Sequence, residues 1–406
     1  MHRFRFSLRQ LLMLVALVGI LLTFGNVDSG SNWQRVTSVD LSPDGRYAAI
    51  GGFCGQRRSH DFHGYEANVT SRIMLVDLSR PDVPPRLLDG STPSTVAWVG
   101  YPGRVATFSR DGKFLAFGLI SDQVRLLNLE TSESHVLPIQ DEVSVKSTAF
   151  SADGNSLVVA GEDDVILCRL DSGSVQRRSK DDRGRYYDEN RATSFSPDGK
   201  LLAVGGLLDV DVIDLTTVKS IPPLPGLEAS RFASLEFSPD GHELAVAGWE
   251  TVQFCSVKDW SIRTAASPVG ASIMGLAYLP DGATMAVAGP GGLALTNVAN
   301  GLPIGDPLCT TPTVSVAISR DGRFALSGDG DGKATLWDLK SRSPIRVFDV
   351  IHYPRGIPLY VPIAFLAAWL TMALFLYAKR RTESLEFCDK SADRRSPDSG
   401  GISALR

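Results

Sequence analysis

Cysteine is scarce, with five in 406 residues. They show no paired spacing, which excludes a disulfide framework. Histidine is scarce as well, with six. The chain has no His-Glu-x-x-His, Gly-x-Ser-x-Gly, Walker loop or Gly-rich dinucleotide motif, so the familiar sequence signatures of metalloproteases, α/β-hydrolases and nucleotide-binding enzymes are absent. There is no basic surplus either. Lys and Arg number 41 against 45 Asp and Glu, a net charge of −4, so a general affinity for nucleic acid is not expected.

What the chain does have is a repeated turn. Phe195-Ser196-Pro197-Asp198-Gly199-Lys200 precedes the apolar run Leu201-Leu202-Ala203-Val204. Ser, Pro, Asp and Gly in succession suit a type I turn closed by a residue of positive φ, the geometry of a tight hairpin. Asp-Gly pairs in this setting begin at Asp44, Asp111, Asp153, Asp198, Asp240, Asp281 and Asp321, in steps of 67, 42, 45, 42, 41 and 40 residues. An apolar strand follows each pair. A further strand ends in forms such as Val212-Ile213-Asp214-Leu215 and Leu336-Trp337-Asp338-Leu339. A period near 42 residues with four short strands per repeat indicates propeller blades. The expected fold is all-β: a seven-bladed propeller of four-stranded blades over residues 31–350. The long first step is ascribed to insertions. The last blade should own its outer strand, Pro344 to Val350, so that the ring closes by packing alone.

On these residues the chain resembles a WD40-repeat β-propeller. The resemblance rests on the Ser-Pro-Asp-Gly hairpin, the small-residue strand after it and one Trp-Asp pair, Trp337-Asp338. The Gly-His dipeptide that usually opens such a repeat is missing, six blades lack the Trp-Asp pair, and the hairpin also occurs in TolB-like propellers.

The ends of the chain read differently. Basic residues 1–10 precede a stretch without charge from Leu11 to Phe24, so 11–30 is expected to be a signal anchor or a cleaved signal peptide. Residues 356–378 form a second uncharged run, long enough for a transmembrane helix. Lys379-Arg380-Arg381 follows it, and 379–406 reads as a disordered tail. The positive-inside rule puts both ends in the cytoplasm and the propeller outside the cytoplasmic membrane.

Three insertions stand out. Phe53 to Arg72 interrupts blade 1 between its second and third strands and holds Cys54, His60, Asp61 and His63. Zinc would need such ligands at close spacing, but a polar surface loop is the plainer reading, and no metal or cofactor is expected. Thr92 to Arg104 carries Trp98 and Tyr101. Arg177 to Arg191, before blade 4, carries Arg177, Arg178, Arg183, Arg185, Tyr186 and Tyr187. Strand parity puts all three on the face opposite the Asp-Gly hairpins. Arg and Tyr favour interfaces, so these residues are the candidate partner-binding set. With about six residues from Ile351 to Gly356 before the second apolar run, this face should look towards the bilayer.

Two functions remain open. One is a membrane-anchored, non-catalytic scaffold that binds a protein partner and touches lipid through its terminal helices. The other is a propeller enzyme, a hydrolase or lyase using channel residues. The innermost strands are rich in Ser, Thr and Ala, with only Asp40, Lys146 and Glu236 charged, which favours the scaffold.

Overall fold

The computed structural model describes residues 32–57, 67–88, 94–96, 105–118, 123–139, 145–161, 164–179, 192–206, 210–222, 227 and 234–350. The two apolar runs and the C-terminal tail lie outside them. Among the described residues no helix is long and apolar enough to cross a membrane.

Seven antiparallel sheets follow one another along the chain. Blade 4 shows the plan, with strands Ala192–Phe195, Leu201–Gly205, Val210–Asp214 and Lys219–Ser220 paired in sequence order. In most blades the second strand holds an unbroken apolar run: Leu157 to Ala160, Leu244 to Ala247 and Met285 to Ala288 are all 0–1% exposed. Unbroken rather than alternating apolar character marks a strand covered on both faces. The core is accordingly spread between blades. One cluster joins Ala245 and Phe254 of blade 5 to Leu276 and Val287 of blade 6, and another joins Leu75 of blade 1 to Leu115 of blade 2.

The hairpins are held by chemistry local to about ten residues. In blades 1 to 5 and 7 the serine hydroxyl donates to the aspartate two residues on, at 2.6 Å. The same oxygen accepts the N–H five residues on, as in Leu201 N to Ser196 Oγ at 2.9 Å. Asp198 Oδ1 also accepts the N–H of Lys200 at 3.1 Å. Gly199 sits at φ 72°, a conformation open to glycine at little cost. Blade 6 has Leu279 where the serine stands elsewhere. There Asp281 takes the N–H groups of Ala283 and Thr284 instead, both at 2.9 Å.

These bonds favour the ionised carboxylate. The Ser hydroxyls, then the backbone N–H groups, hold Asp153, Asp198, Asp240 and Asp321 below the usual carboxylate range. A depressed folded-state pKa contributes stability that is complete above the unfolded value, about 3.9, and is lost as pH falls below it. We expect the combined variant Ser151→Ala, Ser196→Ala, Ser238→Ala and Ser319→Ala to lose less stability between pH 7 and pH 3 than the wild type. Denaturant titrations at the two pH values check this. An unchanged difference would remove these serines from the acid response.

Blade 1 departs from expectation. The described parts of the insertion after Gly52, residues 53–57 and 67–72, continue the blade: its second and third strands, Tyr47–Arg57 and Ala67–Asp77, stay paired from Tyr47↔Asp77 out to Arg57↔Ala67. The innermost strand, Asn32–Leu41, follows as far as Asn32↔Gln56. Ser94–Val96, from the second insertion, pairs onto Ala67 to Val69. The described residues of the two insertions therefore extend the blade 1 sheet. Scattered Gly, Arg and Gln hid a strand that is specified by continued backbone pairing. Of the four possible zinc ligands, Cys54 lies in this extended second strand, and His60, Asp61 and His63 lie outside the described residues.

Blade 6 also differs, since Gly275–Tyr278, Thr284–Gly289 and Gly292–Asn297 are its only regular strands. Its outer position is taken by irregular chain bridged at Thr296↔Pro303 and Leu293↔Cys309. Blade 7 does own its outer strand, Ser343–Asp349. Its Arg346 reaches across to the carbonyl of Pro81 in blade 1 at 3.3 Å.

Candidate functional site: the axial channel and its two mouths

The innermost strands of all seven blades enclose a cavity of about 580 Å³ on the axis. An innermost strand has one unpaired edge, whose N–H groups need partners. Side chains of the preceding blade supply several of them. Ser38 Oγ accepts the N–H of Ala106 at 3.1 Å, and Asp40 Oδ2 accepts that of Phe108 at 2.8 Å. Ser234 and Glu236 repeat this arrangement with Leu276 and Tyr278, at 3.1 and 3.0 Å. Ser194 takes the N–H of Phe237 at 3.2 Å, and Ser147 shares a hydroxyl bond with Thr193 at 2.9 Å. The period of two along a strand puts Ser38 and Asp40, or Ser234 and Glu236, on one side facing the next blade.

Serine and two carboxylates on the innermost strands are thus explained by blade-to-blade hydrogen bonding. Asp40 and Glu236 belong to different seams, on blades 1 and 5. Among the described residues no group of three or more His, Cys, Asp or Glu could hold a metal ion. The buried thiols of Cys168 and Cys255 lie in third strands. Desolvation raises them to about 11 and about 12, so they are not nucleophiles at neutral pH.

The two mouths differ. The mouth on the face of the Asp-Gly hairpins is lined by Pro43, Pro197, Pro239, Arg110 and Arg320. Trp249 lies at the other, in the turn between the second and third strands of blade 5, and is 56% exposed. Its turn is tied on several sides. Gly248 N–H donates to Thr251 at 2.8 Å, Ser267 N–H donates to Glu250 at 2.8 Å, and Ser272 N–H donates to the carbonyl of Trp249 itself. The backbone is held while the indole stays open to solvent. A signal for it existed in the sequence: Gly248-Trp249-Glu250 puts a bulky aromatic where turn chemistry asks for Gly, Asn or Asp.

Of the candidate partner-binding set, Arg177 and Arg178 end the outer strand of blade 3, Val175–Arg178, opposite Ile166 and Val165. They are sheet residues, not loop residues. Arg177 Nη1 lies 3.4 Å from Asp164 Oδ2, in the turn between the second and third strands, so this end of the strand is on the insertion face that parity requires. Arg183, Arg185, Tyr186, Tyr187, Trp98 and Tyr101 lie outside the described residues.

Fold and channel together define a seven-bladed propeller whose axial polar groups bind neighbouring backbone. Residues 307–338, across the first three strands of blade 7, match the WD domain, G-beta repeat (WD40) family. The chain is also similar to the WD repeat-containing protein SL1-17 of Schistosoma mansoni, at 28% identity over 173 residues. That stretch is 41% of this chain and 46% of the relative, so the chain spans about half the length of the curated protein it matches. The protein is a WD40-like β-propeller.

Proposed function

We propose that the protein is a non-catalytic interaction scaffold, anchored in the cytoplasmic membrane with its propeller outside, and that it captures a protein partner on the face bearing Trp249. The observation that carries this reading is the 56% exposed indole on a hydrogen-bonded turn at the mouth of the axial channel. A held turn presenting a free Trp matches the energetics of interface anchors, because little conformational freedom remains to be lost on binding. The seam role of Asp40 and Glu236 supports the non-catalytic part. The membrane part rests on the two uncharged runs and their flanking Arg and Lys.

Trp249→Ala is expected to weaken partner capture by about 2 kcal/mol, roughly thirtyfold, with the melting temperature unchanged. Replacing Arg177, Arg178, Arg183 and Arg185 with Ser should weaken capture further. The measurement is quantitative proximity labelling by the full-length protein in its native membrane, wild type against variants. Identical labelling by the Trp249 variant would overturn the assignment of the face. A reporter fused at residue 200 that is active only in the cytoplasm would overturn the topology.

A further inference from the structure

The outer strand of blade 7, Ser343–Asp349, is covered on one side and open on the other. Side chains alternate between the two sides of a strand. Phe348 stands opposite Ala334 and faces blade 1. It is 4% exposed and lies under Arg346, which reaches Pro81 of that blade. Val347 stands opposite Thr335, on the side of Trp337, which packs against blade 6. Yet Val347 is 56% exposed. The difference lies in the neighbour. Blade 6 has no regular fourth strand to lay against Val347, only irregular chain bridged at Pro303 and Cys309. Ile345 is 51% exposed as well. The register passes from Leu336↔Arg346 to Trp337↔Pro344, so Ile345 is a bulged residue with none opposite it.

Two ties widen this apolar patch. Arg342 Nη2 donates to the carbonyl of Asp306, which holds the outer chain of blade 6, with exposed Leu302 and Ile304, beside the start of the strand. The bond from Arg346 to Pro81 holds a turn of blade 1, with exposed Val83, on the other side. Elsewhere among the described residues exposed large apolar side chains stand singly: Val136 on blade 2, Val175 on blade 3, Val218 on blade 4 and Trp249 on blade 5. Single ones are ordinary on a surface, whereas five gathered on one rim mark a contact. The charges of this rim nearly cancel. Asp82, Asp306 and Asp349 stand beside Arg86, Arg342 and Arg346, and Arg80 is held by Asp77 at 2.7 Å.

We infer that this rim rests in the bilayer interface, with its five aliphatic side chains among the headgroups and upper acyl chains. The inference rests on the membrane anchoring proposed above, and the length of the tethers selects the occupant. The outer strand of blade 7 ends at Asp349, opposite Lys333, at the insertion-face end of the blade. Only five residues, Ile351 to Arg355, separate Val350 from the uncharged run 356–378, a reach of about 20 Å when extended. The chain enters next door. Seven residues, Gly25 to Ser31, separate Phe24 from the start of blade 1 at Asn32, a reach of about 25 Å. Tethers this short hold blades 7 and 1 at the bilayer at high effective concentration, so that a weak apolar contact suffices. A ring resting on this rim is tilted. The tilt lifts the far side, blades 3 and 4, and leaves the face bearing Trp249 open to a partner.

The test puts the full-length protein in phosphatidylcholine nanodiscs, with a benzophenone side chain in place of Val347 or, as a control, of Val136. After illumination, mass spectrometry counts the lipid adducts. Position 347 should give at least about fivefold more than position 136. With the benzophenone at Leu302 instead, Ile345→Ser/Val347→Ser should lower the adduct yield about threefold. The melting temperature should not move, since both side chains are already half exposed. Yields should hold when salt is raised or phosphatidylglycerol is added, because the charges of the rim cancel. Failure of the protein to enter the discs would sink the anchoring, and this inference with it. Protein that enters the discs but labels equally at 347 and 136 would overturn the rim contact alone. Adducts to a second copy of the chain instead of lipid would make the patch a dimer interface, and a yield that falls with salt would make the contact electrostatic. Either result overturns the inference.

Discussion

Trp337→Ala should cost about 3–5 kcal/mol, the range for emptying a buried aromatic site, and bring the propeller close to its unfolding threshold. Trp337 lies in the third strand of blade 7, Lys333–Asp338, and is 7% exposed. Its ring spans a seam, packing with Ala277, Ala286, Ala288, Leu293 and Leu295 of blade 6. Those alanines leave the room that the indole fills, and cutting it back to a methyl leaves a cavity between two sheets. The polar end is engaged too: Nε1–H donates to Ser327 Oγ at 2.9 Å, with Ser327 itself 5% exposed. Trp337→Phe keeps most of the apolar contact and should cost less, about 1–2 kcal/mol. Ser327→Ala strands a buried N–H, at about 1–3 kcal/mol. The double variant should cost less than the sum, because each single change already breaks the same bond. Thermal and denaturant unfolding of the four proteins measures all of this. A cost below 1 kcal/mol for Trp337→Ala would mean that the seam between blades 6 and 7 is loosely packed.

The second large effect is expected at the closing seam. A Cβ added to Gly328, in the second strand of blade 7, would collide with the side chain of Val36 in blade 1, at 2.9 Å from its Cβ, and come within 2.8 Å of Ser315 Oγ. Gly118 meets Val145 of the next blade in the same way, at 2.6 Å. The ring therefore closes with the glycine-to-valine contact that joins two consecutive blades, and among the described residues no strand of one terminal blade inserts into the other's sheet. Val36 is fully buried, so it has nowhere to retreat. Gly328→Val should destabilise by about 3 kcal/mol, at the upper end for overpacking. Gly328→Ala should cost less, and adding Val36→Ala should recover at least half of that loss. Hydrogen exchange should locate the damage in blades 1 and 7. A uniform rise over all blades, or no rescue by Val36→Ala, would show that this contact does not close the ring.

The candidate site was partly legible. Arg177 and Arg178 stand on the face that strand parity assigned, but in a strand, because the pairing of Val175–Arg178 with the third strand runs on through charged residues. Trp249 lies in a short turn of blade 5 with no insertion to mark it, so its exposure follows only from the folded ring.

Local chemistry within each repeat determined the number of blades, the place of each hairpin and the apolar second strands. The serine, aspartate and glycine of a turn satisfy one another within a few residues, and a strand covered on both faces must be apolar throughout. The tertiary structure decided what lies between repeats. The bond of Asp40 to Phe108 joins residues 68 apart, and that of Glu236 to Tyr278 joins residues 42 apart. Such partners are set by the rotation from one blade to the next and by closure of the ring. The same closure put Trp249 at one mouth of the channel and the hairpin prolines Pro43, Pro197 and Pro239 at the other.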